Sequence, residues 1–263
     1  MQRIIKLLVK GEEQIQINTW QKLINITLIS ILFAAFLVFS FISIEYNLRM
    51  ETIWQYRSKF ISGFLLTIVI AFFSLILSLA IGIILAFASK SRFLPLYYFS
   101  KIYVEIIRST PLLVQIYVFF YIIGTALKFE NRYVMGVIIL SIFSGAYICE
   151  IIRAGIDSID NIQIETARSL GFTFFQRYRL IIIPQVIRRI LPPLAGQLAS
   201  LIKDSSLLSI IAVSELTRNV QEVDAINFAV FENYIVLTIL YMLLTVPVLS
   251  ISRRLETKFN YET

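Results

Sequence analysis

None of the 263 residues is a histidine, which removes His-ligated haem, His-containing zinc sites and Ser-His or Cys-His catalysis in one step. A hydrophobic share of 58 % and a mean hydropathy of +0.79 lie far above those of a soluble domain and imply several membrane spans. The net charge of +7 therefore belongs to basic residues at membrane ends rather than to nucleic-acid binding, and the one cysteine, Cys149, can form no internal disulfide.

Taken in order, the first ten residues set Ile4, Ile5, Leu7 and Leu8 beside Arg3, Lys6 and Lys10, a pattern equally suited to a short interfacial helix and to a solvated basic tail. Leu23 to Ile44 is an apolar run of bilayer length. It is too long for a signal-peptide core and lacks a small-residue cleavage site, so it reads as a retained span. Five more spans follow: Phe60 to Ser89, Leu94 to Leu127, Tyr133 to Ile152, Ile190 to Val213 and Phe231 to Ile251. With the N-terminus in the cytoplasm, the inner segments hold sixteen Lys and Arg residues and the outer loops six. Excess positive charge inside places both termini there.

Several polar residues fall within those spans. Arg108, Ser109 and Thr110 precede Pro111, which disfavours helical geometry at Thr110 and reads either as a simple kink or as backbone opened toward a cavity. Glu150 and Arg153 are three apart and predict an ion pair on one helix face. Lys203 and Asp204 lie deeper, roughly 21 Å of helix beyond Arg189 in a core of about 30 Å. Intramembrane ionisable residues line a path or pair with one another. One reading makes Lys203 and Asp204, with Ser205, Ser206, Arg108 and Thr110, a site for an amino-acid carboxylate and ammonium; the other pairs Lys203 with Glu105 or Glu150.

Glu150 to Pro184 is the one long stretch too charged to be membrane-buried. Asp160 can cap a helix from Asn161 to Leu170, with Gln163 reaching back to the cap and Gly171 as the stop. Thr173 and Gln176 repeat the capping-box spacing for a second helix carrying Phe174, Tyr178, Ile181 and Ile182 on one face until Pro184. Two short helices joined at a glycine are expected to make an elbow.

On this elbow stand Glu165, Thr166 and Ala167, then Gly171 four positions after the alanine, then Ile181, Ile183 and Pro184. This resembles the EAA loop of ABC-importer permeases, E-A-A-x₃-G-x₉-I-x-L-P, with Thr166 at the second position and Ile183 in place of the leucine. The flanks GAYICEIIRAGIDSI, PQVIRRILPPLAGQ and LIKDSSLLSIIAVSEL, with RSTPLLVQIYVFFY at Arg108 to Tyr121, are similar to the polar amino-acid uptake branch (glutamine, histidine and arginine type). The resemblance covers roughly residues 61 to 252. It implies an all-α integral membrane fold with six transmembrane helices: a five-helix permease core, one extra N-terminal helix, and a cytoplasmic two-helix coupling elbow. Residues 1–59 then form a cytoplasmic tail, the extra helix and an outer loop. Residues 60–252 form the permease domain with its elbow at 153–184, and 253–263 a cytoplasmic tail.

The resemblance further implies a multi-pass protein of the bacterial inner membrane, without cofactor or metal, that forms the translocation pathway for an amino acid. Glu165, Thr166, Ala167, Gly171 and Pro184 would couple it to a separate ABC ATPase present in two copies. A second permease, identical or homologous, and an extracytoplasmic substrate-binding protein complete the set. For the binding protein, Glu215 to Glu232 is either a dock or merely a solvated loop. No glycine begins a G-x-x-x-x-G-K-[ST] run, so the chain is expected to hydrolyse no nucleotide itself. Two other classes stay open on the residues alone: a secondary carrier or channel relaying ions through Lys203, Asp204 and Glu150, and a membrane scaffold that docks a soluble partner.

Overall fold

The computed structural model describes residues 18–43, 46 and 48–259; the first ten residues, read above as interfacial helix or tail, lie outside that range. Residues 1–49 and 50–263 are two separate units. In the first, α1 (Thr19–Ser43) is a single apolar helix. The second contains α2 (Arg57–Ala88), α3 (Leu94–Ser109), α4 (Leu112–Tyr117), α5 (Arg132–Asp157), α6 (Asn161–Ser169), α7 (Phe174–Arg177), α8 (Ile183–Asp204), α9 (Leu216–Asn227) and α10 (Val230–Phe259). Five helical stretches are long and apolar enough to cross a membrane, or six if the bent pair α3 and α4 counts as one.

Lipid tails are as apolar as leucine, so what holds such helices together is close packing and interhelical hydrogen bonding. The α2–α5 seam shows both. A Cβ at Gly82 would lie 2.5 Å from Ile148 and one at Gly145 2.6 Å from Ile81, so the two backbones approach as near as glycine permits. Across the neighbouring seam, Tyr103 of α3 donates its hydroxyl to the Ile142 carbonyl at 2.7 Å. Gln197 of α8 donates to Ser144 of α5 at 3.0 Å. The interior gathers around Ile116, Ile139, Leu140, Leu201 and Leu208.

The span expected from Leu94 to Leu127 is broken rather than kinked. Its two parts meet at 109°, with Thr110 extended at φ −116° and ψ 141° ahead of Pro111. Two of the freed carbonyls, those of Ile107 and Thr110, are covered from within the chain. Buried Gln115, one turn into α4, donates its amide to Ile107 O (2.7 Å), Thr110 O (3.1 Å) and Thr110 Oγ1 (2.8 Å). Beyond it α4 widens into a π segment, Val118–Gly124.

The elbow also departs from expectation in two ways. Asp160 caps α6 by accepting from Ile162 N at 2.9 Å, but Gln163 does not reach back; its side chain accepts from Gln185 at 2.7 Å instead. Nor does Pro184 end a short second helix. A π segment, Tyr178–Ile182, passes the Ile183 N–H to Tyr178 O, so the turn is already rearranged where proline has no N–H to give. The helical path therefore runs from Phe174 to Ile211, and the second limb of the elbow is the start of a spanning helix. That path finishes in a 3₁₀ stretch, Ser205–Ile211, and stops at left-handed Ala212.

Between Ile211 and Val230 the expected loop is a helix, α9, packed on α2 and α10. Glu215 caps it, accepting from Thr217 N and Arg218 N, both at 2.8 Å. Glu222 takes Lys59 at 2.7 Å and Arg218 at 3.3 Å; the Lys59 ammonium holds its carboxyl below the usual range.

Candidate functional site

Two regions carry the residues singled out from the sequence, and each is built by its local chemistry. In the elbow, α6 ends in a Schellman arrangement: Gly171 N donates to Arg168 O at 2.9 Å and Phe172 N to Ala167 O at 3.0 Å, with Gly171 at φ +80°. Only a residue without a Cβ sits there at no steric cost. Two residues later Thr173 and Gln176 form the reciprocal capping box that opens α7. Four residues, 170–173, thus join the two helices, with a hydrogen-bonded cap at each helix end.

Of the motif residues, Ala167 is 3 % exposed and faces inward, while Glu165, Thr166, Gly171 and Pro184 are open to solvent. Beside them stand Ile162, Phe174, Leu170 (71 % exposed) and Phe175 (68 %). Phe174 and Tyr178 pack ring to ring at 4.5 Å. Gln185 ties α6 to α8, and Arg189 donates to the Ser158 carbonyl at the start of the elbow. The result is an apolar surface of mixed charge on a braced turn.

The second region is a cleft of about 730 Å³ between the end of α2, α3 and the last turns of α5. Along α3, Tyr97, Lys101, Glu105 and Arg108 line it at spacings of four, four and three, one face of a helix. Across it lie Tyr147, Glu150 and Arg153. Glu150 is the hub: Arg153 grips both its oxygens at 2.9 and 2.8 Å, and Arg108 reaches it at 3.1 Å. The Arg108 guanidinium also stands 5.4 Å over the Tyr147 ring. Lys90 and Arg153 both meet Asp157. With four cations and two carboxylates on its walls, the cleft can hold a small molecule bearing both charges.

The predicted substrate set is not brought together. Arg108 lines this cleft, but none of Lys203 to Ser206 does. Ser205 and Ser206 spend their hydroxyls on the helix's own carbonyls, Ile202 O at 2.8 Å and Lys203 O at 2.6 Å. Thr110 gives its hydroxyl to Ile106 O. Lys203 does not pair with Glu105 or Glu150; among the described residues, neither its ammonium nor the Asp204 carboxylate has an ion pair. The proposed acidic dock also changes character, since Glu215 and Glu232 are both fully buried. Missed from the sequence were Gln115, Gln185, Tyr147, Lys101 and the stripe that sets Lys101 in line with Glu105, a residue considered there only as a partner for Lys203. Only the four-residue spacing from Tyr97 through Glu105 could have signalled the last.

Residues 78–261 match the family described as the inner membrane component of binding-protein-dependent transport systems. The chain belongs to this family. The probable glutamine ABC transporter permease GlnM of Bacillus subtilis (strain 168) is 35 % identical over 216 residues, 81 % of this chain and all of that one. The glutamine transport system permease GlnP of Escherichia coli (strain K12) is 34 % identical over 212 residues, 80 % and 97 % of the two chains. The crystal structure of an amino acid ABC transporter with histidines superposes with TM-score 0.76 at 32 % identity, covering 81 % of this chain and all of its counterpart. A methionine transporter structure, MetNI, at 19 % identity and TM-score 0.58, shares the fold. This permease is thus the multi-pass membrane subunit of an ATP-driven importer and not itself an enzyme; ATP hydrolysis belongs to a separate subunit, and a binding protein delivers the substrate.

Proposed function

We propose that the permease conducts a polar amino acid, as its relatives' names indicate for them. The observation that carries the coupling half of this reading is the elbow: an exposed apolar turn whose second limb continues without interruption into a spanning helix. A push on Glu165, Thr166 or Gly171 reaches α8 through the Gln163–Gln185 bond, while buried Ala167 and helix-internal Pro184 keep the turn in shape. The ATPase, in two copies, sits on this surface. The excess of Lys and Arg on the elbow side of the spans supports placing it, with both termini, in the cytoplasm.

The passage lies between two permease copies. Its inner part is the cleft, where Arg108 offers a partner for a carboxylate and Glu105 one for an ammonium, Thr110 marking the break above them. Its outer part is Lys203 and Asp204, followed by Ser205 and Ser206, whose hydroxyls shape the 3₁₀ turn. Co-purification in mild detergent with the ATPase, followed by uptake into proteoliposomes, tests the reading. ATP-dependent accumulation of an amino acid supports it; uptake driven by an ion gradient without the ATPase points to a carrier, and partner binding without flux to a scaffold.

A further inference from the structure

Most of the charge around the cleft is already engaged. Lys90 and Arg153 meet Asp157, and Arg108 and Arg153 share Glu150. Lys101 and Glu105 are the exceptions. Both line the cleft, both are exposed, and among the described residues neither forms an ion pair. They stand on one face of α3 about 6 Å of helix rise apart, with Arg108 roughly 4.5 Å beyond Glu105. A lysine four residues ahead of a glutamate is the weaker order for a pair within one helix, so both charges stay available to a ligand.

The balance of charge says which ligand. Four cations, Lys90, Lys101, Arg108 and Arg153, stand against three carboxylates, those of Glu105 and Glu150 in the cleft wall and of Asp157, which Lys90 and Arg153 hold. One positive charge is left over. A zwitterion brings no net charge and leaves that excess as it is; a ligand with a second carboxylate cancels it. With an α-carboxylate on Arg108 and an ammonium on Glu105, the facing wall is already occupied by the Glu150–Arg153 pair and by Tyr147, whose ring lies 5.4 Å under the Arg108 guanidinium. The side chain of the ligand then runs along α3, and the charge it meets one turn on is Lys101.

We infer that Lys101 sets the specificity of the cleft and selects a dicarboxylic amino acid, its ammonium pairing with the side-chain carboxylate. The inference rests on the passage reading of the cleft and adds to it the charge of the substrate. An amide side chain offers Lys101 only a neutral acceptor, and a cationic side chain is repelled.

The test measures equilibrium binding of glutamate, glutamine and arginine to the full-length permease, purified with its ATPase in nanodiscs and without a binding protein, so that any selection is the permease's own. The parent should bind glutamate at least roughly tenfold more tightly than glutamine, and arginine least tightly. Lys101→Met should bring glutamate to the level of glutamine while leaving glutamine within about twofold of the parent. Lys101→Glu should place arginine first, and Lys101→Arg, which keeps the charge, should keep the parental order. A parent that prefers glutamine or arginine, or a Lys101→Glu variant that keeps the parental order or weakens all three alike, overturns the inference and leaves an amino-acid passage standing. A parent that binds none of the three overturns it as well; the passage reading itself is decided separately, by ATP-dependent uptake.

Discussion

The amide of Gln185 joins the side-chain oxygen of Gln163 at 2.7 Å, across 22 residues of sequence, while also donating to Ile181 O at 3.1 Å. This bond braces the first elbow helix against the root of the spanning helix α8. Gln185→Leu keeps the volume and removes the donor. It should leave the ATPase bound but raise the ATP hydrolysed per substrate imported, by roughly two- to tenfold for the loss of about 0.5–1.5 kcal/mol of positioning. An unchanged ratio in proteoliposomes would show that the brace carries no force.

Gly171 separates two contributions. A Cβ there meets nothing within 4 Å, so substitution acts through the backbone angle and the approaching partner rather than through a clash inside the chain. Gly171→Val should reach the membrane yet lose its ATPase on purification, with a local cost of roughly 1 kcal/mol or more. Gly171→Asn, which tolerates left-handed geometry, should retain more of it. Equal behaviour of the two variants would contradict this account.

Gln115 covers the carbonyls laid bare by the break at Pro111. Gln115→Leu leaves Ile107 O and Thr110 O facing apolar surroundings, at about 1–3 kcal/mol for each buried group without a partner. Thermal unfolding in detergent should occur at a clearly lower temperature than for the parent, before any effect on ATPase binding. A variant as stable as the parent would mean that these carbonyls find another donor.

Glu215 predicts a pH dependence. Burial raises its carboxyl from the ordinary 4.5 to about 7, against the lowering pull of the Thr217 and Arg218 N–H groups and the Tyr241 hydroxyl. A folded-state value above the unfolded one means the folded chain holds a proton that the unfolded chain has lost. The associated stability is full below 4.5 and disappears as pH rises through about 7. Glu215→Gln, permanently neutral, should flatten the loss of thermal stability between pH 5.5 and 8. A steeper slope in the variant would reverse the assignment.

Much of this arrangement is legible in the residues. Phe60 to Ser89 and Tyr133 to Ile152 are apolar runs of bilayer length, and that length alone points to the helices Arg57–Ala88 and Arg132–Asp157. Gly171 is legible for a local reason: a residue without a Cβ, placed where a helix must stop, has few other uses. The chain direction after Thr110 is not legible, because proline dictates that the helix breaks but not the 109° of the bend; that follows from Gln115 and its three acceptors. Pro184 misleads since a π segment one turn earlier already accommodates the missing N–H. Glu215 and Glu232 mislead more deeply: a carboxylate in a hydrophilic stretch reads as solvated, and only tertiary packing shows both buried. Lys203 and Asp204 are legible as anomalous, and among the described residues neither has an ion-pair partner.

Topology is open to direct labelling. Cys149 is buried, so Cys149→Ser is a mild background. Because Asn131 caps α5 and Asp224 accepts from Asn233, the exposed neighbours Glu130 and Ile226 are better probe sites. Cysteines there should react with a membrane-impermeant reagent in intact cells, and one at Asn161 only after the membrane is opened. External reaction at Asn161 would put the elbow on the wrong side for an ATPase.

The most direct measurement is amino-acid uptake by proteoliposomes containing the permease, its ATPase and its binding protein, with and without ATP inside the compartment that bears the elbow. The account predicts accumulation that requires ATP and the binding protein and is lost in Gly171→Val. Accumulation that persists without ATP, follows an ion gradient, or survives Gly171→Val unchanged would contradict it.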